Sequence, residues 1–501
     1  MLTFLTNKLK SHFMQNFLSG VIYQICMAVC GIVMPRLIIM HYGSVLNGLI
    51  STVTQLISYM SIVEMGLASA SLVALYDPMA KHDYIKASQI VAAINRFYNQ
   101  VAALFSFGTI IAGLLLPFFI KDDIPIYTIW LVVASVAGIN LVTYMFLGKY
   151  RAILQADNRL YVSNYARSLG VVIQIFLGIV IIYLNWNIAF IKFIAVFTAC
   201  VETVILIAYV RRVYPQLNYH VEPAIGAIKQ RSDILVHQIS GLVLNNTDIL
   251  LLAIFGGTLS LASIYNVYNM ILGLVTQVIS SFLSARATVF ARLYVLGDIT
   301  QLKQRVFKFE GWYLMVVYSL HTAMAISIMP FIRLYTYGVK DANYDLPIVG
   351  LFFALLGISK VLRSCYSEIV ASAGKFKETK GIVITSATIN IILSLILIWD
   401  LKITGLLIGS IVAELYRTVH YIFYFQKNIY RSNVLAYSLR IIFNTITFAV
   451  LYIASHQYRL SAFTNYSIAF ASMFATTIAI ICIFMIIKYI TDFLFDKTAR
   501  H

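Results

Sequence analysis

Runs of about 20 apolar residues recur from one end of this chain to the other, and a run of that length can cross a bilayer as a helix. About fourteen are countable, near 17–40, 47–75, 93–120, 126–148, 160–184, 188–210, 233–255, 259–284, 307–332, 346–373, 379–399, 403–425, 435–455 and 466–489. Breakers such as "HYGS", "KDDIP", "NWN", "FGGT" and "WDLKITG" are only a few residues long, so neighbouring helices must form antiparallel hairpins. The expected fold is an all-α polytopic membrane protein.

The balance of residues agrees. Of 501 residues 60% are hydrophobic and 11% charged, where a soluble protein carries roughly 25% charged residues. No polar stretch exceeds about 25 residues, which is too short for a separate soluble domain. A net charge of +17 invites a nucleic-acid reading, but cations scattered over short loops between apolar spans are explained by membrane topology. Nucleic acid is therefore not an expected partner. The five cysteines, Cys26, Cys30, Cys200, Cys365 and Cys482, fall within apolar spans, are odd in number and form no CxxC pair. They read as small hydrophobes, with no disulfide framework and no metal site. The cations before the first span precede a run that continues past Met34 with no small-residue cleavage motif, so a retained helix is expected there.

With the N-terminus placed in the cytoplasm, about 26 basic residues fall in inner segments, about 7 outside and about 4 deep in helices. That asymmetry puts both termini on the cytoplasmic side. An internal repeat is also visible. "LVALYDPMAKHD" (72–83) resembles "VFARLYVLGDIT" (289–300), and "ILQADNRLY" (153–161) resembles "IVASAGKFK" (369–377). "LNWNIAF" (184–190) matches "LKITGLL" (401–407) in placement, again about 217 residues earlier. About six helices separate equivalent points, so the halves have parallel topology. The expected organisation is a six-helix bundle over 1–215, a second over 216–430 around a central cavity, and two further helices with a cytoplasmic tail over 431–501.

The stretch "MPRLIIMHYGSVLNGLISTVTQLISYMSIVEMGLASASLVALYDPMA" resembles the opening of bacterial polysaccharide flippases, the Wzx-like branch of the MATE-like MOP exporter superfamily. Their pattern is an arginine near the outer end of helix 1, a Tyr-Gly turn, and acidic-x-Gly-Leu in helix 2. Here these are Arg36, Tyr42-Gly43 and Glu64-Met65-Gly66-Leu67. "LQADNRLYVSN" and "NNTDILLLAIFGG" are similar to the same family. The resemblance implies a transporter in the bacterial cytoplasmic membrane that flips an undecaprenyl-pyrophosphate-linked oligosaccharide to the outer leaflet for O-antigen, capsule or a related polymer. It implies as partners the lipid-linked oligosaccharide, membrane lipids, and a polysaccharide polymerase and chain-length regulator, with no cofactor.

Charges within spans are costly and mark pathways or partners. Lys360, Arg363 and Ser367 share a helix face at i, i+3 and i+7, and Arg363 lies about 16 Å from the cytoplasmic end at 1.5 Å per residue. One reading is a pyrophosphate clamp, since a forked guanidinium suits phosphate oxygens and lysine adds a mobile charge. The other is an ion pair with Glu64, Glu202, Asp248 or Glu414. Arg167 either joins the clamp or snorkels. Arg36 and Asp248 are expected to pair or to gate the outer side. Glu64 either carries a coupling ion or closes a polar network. Glu414 and Arg417, at i and i+3, can neutralise each other. His237, His321 and His420 read as interior hydrogen-bonding residues.

No Walker A, GxSxG, HExxH or GxGxxG motif occurs, so neither an enzyme nor an ATP-driven pump is expected. The expected action is alternating access. A cation-coupled small-molecule exporter of the MATE type would favour acidic cavity residues. A polysaccharide polymerase would need a larger outer loop than 333–345 or 456–465.

Overall fold

The computed structural model describes residues 2–64, 67–219, 221–224, 232–430, 434–460 and 465–495. Among them there is no strand, and eleven helices are long and apolar enough to cross a membrane. Two of these, α1 (Leu2–Met60) and α13 (Phe376–Phe425), break internally at Gly43 and Lys402. With the shorter apolar helix Ser438–Ala454, the crossing segments come to about fourteen by length. The chain is a multi-pass membrane protein.

It divides into two compact units, Met1–Leu242 with Gly257–Ser263, and Val243–Gly256 with Ile264–His501. The first unit contains α1, a tight 3₁₀ turn at Ser61–Glu64, α2 (Leu67–Ala80) and α3 (Tyr84–Phe119). There follow α4 (Ile126–Val142), a π-helical turn at Thr143–Leu147, α5 (Gly148–Ala156), α6 (Tyr161–Tyr183) and α7 (Ala189–Val213). Helix α6 packs on α1 and α7, and α4 on α7. On α3, Leu104, Phe107, Ile110, Leu114 and Phe118 are between 56% and 84% exposed. Their three- and four-residue spacing makes one outward apolar stripe, of the kind a bilayer covers.

Helix α8 (Ser232–Phe255) spans the boundary, and α9 (Leu259–Val295) begins in the first unit. The second unit continues with α10 (Ile299–Tyr335), α11 (Pro347–Leu362), α12 (Ser364–Ser372) and α13. After a π-helical turn at Gln426–Tyr430 come α14 (Val434–Ala454), α15 (His456–Leu460) and α16 (Tyr466–Phe495). The axis of this unit is α10, which packs against α11, α14, α15 and α16. Its most apolar window is 78% buried, against 11% for α16.

The repeat is written into the backbone. Left-handed turns at Gly43, His82, Asn158 and Asn185 recur at Gly257, Gly297, Gly374 and Lys402, each between 214 and 217 residues later. At two of these pairs the helix closes with the same six-to-one hydrogen bond: Asp83 N to Pro78 O (2.9 Å) and Asp298 N to Leu293 O (3.2 Å), then Arg159 N to Leu154 O (2.7 Å) and Lys375 N to Val370 O (3.1 Å). Asp83 and Asp298 then cap the next helix, accepting from Lys86 N and Gln301 N at 3.0 and 2.9 Å. Helix ends must satisfy their own carbonyls and amides, and the two halves do so alike.

Two spans expected to be continuous are interrupted. The one over 346–373 divides at Arg363 into α11 and α12. The one over 47–75 passes through the 3₁₀ turn at Ser61–Glu64. Met65 and Gly66 lie outside the described residues.

Gly257–Ser263 is tied into the first unit by Asp122, which accepts from Thr258 Oγ1 at 2.7 Å and Leu259 N at 2.8 Å. Asn47 Nδ2 donates to Ser263 Oγ at 2.7 Å. A Cβ on the adjacent Gly48 would sit 1.9 Å from the Leu259 carbonyl oxygen, a clash only backbone movement can relieve. Gly48→Ala is therefore expected to cost about 2 kcal/mol of stability, read as a lower melting temperature in detergent. Gly31→Ala, where a Cβ meets nothing within 4 Å, should leave it unchanged or slightly raised.

Candidate functional site

A single face of α13, Ser410, Glu414 and Arg417 at i, i+4 and i+7, organises the interior charges of the second unit. All three are buried. Ser410 Oγ donates to Asp248 Oδ2 at 2.9 Å, and Tyr265 Oη donates to the same oxygen at 2.6 Å. Asn390 Nδ2 donates to Ser410 Oγ at 2.9 Å. One turn before Asp248 on α8, Asn245 Oδ1 accepts from Lys360 Nζ at 3.2 Å. Arg363, at the α11–α12 junction, places a terminal nitrogen 3.2 Å from Glu414 Oε2. Thr418 Oγ1 donates to the Ser359 carbonyl at 2.9 Å and fixes α13 against α11. Lys360 lies within electrostatic reach of Asp248, Glu414 and Arg363, and Arg417 within reach of Arg363 and Glu414. Three cations thus gather around two carboxylates. Glu368, on α12, is exposed.

The first unit carries a related cluster. Arg151 on α5 donates from Nε and a terminal nitrogen to the two oxygens of Glu202 on α7, at 3.0 and 2.6 Å. Ser163 Oγ on α6 adds a third donor at 2.8 Å. Arg167 hydrogen-bonds the Tyr23 hydroxyl and stacks its guanidinium 4.0 Å from that ring centroid. Glu64 accepts from Tyr98 Oη at 3.3 Å and lies within electrostatic reach of Arg151. Arg36 is half-buried on α1, two turns before the break at Gly43.

A third cluster fastens the last two spans to α10. Arg440 of α14, 1% exposed, donates to Asp492 at 2.8 Å and to the Phe307 carbonyl at 3.2 Å. It lies 4.0 Å from Glu310, whose other oxygen accepts from Tyr366 Oη at 2.6 Å. Lys488 pairs with Asp492 at 3.0 Å and sits over the Trp312 ring at 4.2 Å. Two cations here meet two carboxylates.

Of the residues singled out from sequence, Lys360, Arg363 and Asp248 come together in the second unit, and Arg167 and Glu202 near one another in the first. Glu414 takes Arg363 as its ion-pair partner and also lies near Arg417. His321 is wholly buried, and its Nδ1 is 2.8 Å from the Val317 carbonyl. Sequence reasoning missed Arg151, which lies between the spans expected over 126–148 and 160–184, and the Arg440 cluster. A signal for Arg151 existed. In both units the arginine precedes its glutamate by 51 residues. Among the described residues no group of three or more His, Cys, Asp or Glu comes together as a metal ion would need.

No family model matches the chain, and no curated protein matches it. Solved structures do. The lipid II flippase MurJ in an inward closed conformation superposes with a TM-score of 0.66 at 13% identity, covering 96% of this chain and 99% of MurJ. The chain has the fold of the MATE and MurJ transporters. An inward-facing multidrug resistance MATE family transporter of the MOP superfamily gives 0.60 at 13% identity, over 82% of this chain and 98% of that one. The eukaryotic MATE transporter AtDTX14 gives 0.56 at 15% identity, over 82% and 95%.

The Arg151–Glu202 pair joins α5 to α7 with Glu202 buried and Arg151 partly so, so removing one partner strands the other. Glu202→Gln is expected to cost about 3 kcal/mol or more in thermal or denaturant unfolding. Arg151→Leu combined with Glu202→Met should recover most of that loss, because no charge is then left unpaired.

Proposed function

We propose that this chain is a flippase that moves a polyprenyl-diphosphate-linked oligosaccharide across the bacterial cytoplasmic membrane by alternating access, both termini being cytoplasmic. The carrying observation is the unequal charge of the second unit's interior, where Lys360, Arg363 and Arg417 face Asp248 and Glu414. A low-dielectric interior does not hold surplus positive charge without a use for it. A diphosphate is the headgroup chemistry that such a set recognises, two guanidinium forks offering planar donor pairs and an ammonium adding a point charge. The likeness to the lipid II flippase over 96% of the chain supports a lipid-linked cargo. The transporter fold supports a protein that performs no covalent chemistry.

On this reading Arg167 and Arg36 contribute cations along the path, and Glu64, Asp248 and Glu202 serve gating or coupling. The cargo is a repeat unit for O-antigen, capsule or exopolysaccharide, and a polymerase and chain-length regulator use it on the far side. Energy comes from an ion gradient or from that consumption. Arg363→Ala, made with expression verified, is expected to lower surface polymer at least tenfold in a strain lacking its own flippase, the size of effect when a charge-assisted phosphate contact is removed. Normal surface polymer would take Arg363 out of the path.

One observation favours a cation-coupled small-molecule exporter instead. Asp248 Oδ1 is buried and accepts no hydrogen bond among the described residues, which is how a proton or sodium site looks before it is filled. Asp248→Asn separates the readings. An exporter should lose gradient-driven efflux of a cationic dye. A flippase should show the same dye retention with and without the substitution.

A further inference from the structure

The two Arg–Glu pairs share a 51-residue spacing but stand 212 residues apart, about one helical turn short of the 216-residue repeat, and they differ in quality. Glu202 is fully engaged, each oxygen meeting its own nitrogen of Arg151 and one of them also taking Ser163. Glu414 meets only one nitrogen of Arg363, at 3.2 Å from Oε2 and 3.5 Å from Oε1. Arg363 Nε and Glu414 Oε2 are both buried and make no hydrogen bond among the described residues. A guanidinium and a carboxylate matched for permanence use two parallel bonds at about 2.7–2.9 Å. Here the fork is turned off its partner and one donor edge stays open.

The surroundings explain how such a pair can be exchanged. Glu414 is 2% exposed on its side chain and Arg363 14%, so the guanidinium is the less buried partner. Arg417 lies one turn beyond Glu414 on the same face of α13 and within its electrostatic reach. If Arg363 leaves, Glu414 therefore keeps a cation. Lys360, one turn before Arg363, is engaged by the neutral amide of Asn245 and remains available to a second anion.

We propose that Glu414 is a placeholder anion: it holds Arg363 between transport cycles, gives it up to the cargo's diphosphate, and takes it back to drive release. The inference rests on the flippase reading above. When the diphosphate arrives, Arg363 swings its open Nε edge onto phosphate oxygens while Glu414 leans on Arg417. When Glu414 recaptures Arg363, the diphosphate loses its fork and departs. No covalent bond is made or broken. The carboxylate should therefore oppose binding and assist turnover, the reverse of what a static staple would do.

The test is equilibrium binding of geranylgeranyl diphosphate to the purified full chain in detergent, at fixed salt, alongside flipping in vesicles. Glu414→Gln is expected to bind the diphosphate about tenfold more tightly, the shift when one ion-pair competitor is removed, and to flip more slowly. Unchanged or weaker binding by the folded variant would make Glu414 a static staple and overturn the proposal. Where Glu414→Gln does not fold, Glu414→Asp draws the charge back by one methylene and should tighten binding in the same direction by a smaller factor; no tightening overturns the proposal equally. A wild-type chain that binds the diphosphate no better than geranylgeraniol removes the flippase reading itself, and this inference with it.

Discussion

A guanidinium carried among lipid-facing helices must bring its counter-charge with it, and in both units that requirement is met by an arginine and a glutamate 51 residues apart. The cost of leaving either alone is several kcal/mol, so each pair fixes which helices stand side by side: α5 with α7 in the first unit, the α11–α12 junction with α13 in the second. The backbone yields to let it happen. Arg151 follows a π-helical turn at Thr143–Leu147, and Arg363 is itself the residue between two helices. Irregular helix turns concentrate where a side chain has to be re-aimed, and non-regular backbone at membrane depth is tolerated where protein surrounds it.

Charge balance separates the clusters by role. Around α10 the two cations Arg440 and Lys488 meet the two carboxylates Glu310 and Asp492, and aromatic rings at Phe307 and Trp312 cover the cations. The site is closed, neutral and central to the most buried helix of its unit, as a fastening for α14 and α16 should be. The cluster built on Lys360, Arg363 and Arg417 has the opposite character. It is positive by one formal charge and half-buried at Lys360. A cluster that only held helices together would have been cheaper to make neutral.

Much of the architecture was legible because helix ends are chemically demanding. His82-Asp83 and Gly297-Asp298, and Asp157-Asn158 and Ala373-Gly374, sit at paired left-handed turns of the backbone. Asn and Gly reach that conformation at little cost. Lys402 does not, with φ 48° and ψ −120°, and its equivalence to Asn185 is visible only through spacing. What could not be read was the break at Arg363, since every residue from 346 to 373 suits a continuous helix. Apolar length likewise says nothing about where α4 ends, so the extension through Ala156 that buries Arg151 beside Glu202 looked like a loop rich in cations. Arg440 and Asp492 escaped notice for a different reason: they lie 52 residues apart near the ends of separate spans, where snorkelling is an equally good account of either one alone.

The inequality of the two pairs follows from what a duplicated architecture leaves free. Repetition supplies each half with the same turns and the same capped helices, and the fold is shared with transporters that are 13% identical. Such low identity means the scaffold constrains backbone and burial far more than it constrains interior polar side chains. One pair can then be perfected as a fastening while the other stays loose. Ser163 completes Glu202. Glu414 instead has a second cation, Arg417, within electrostatic reach. The second unit already has its fastening in the Arg440 cluster, so its Arg363–Glu414 pair is free to be loose, whereas in the first unit the Arg151–Glu202 pair is the fastening.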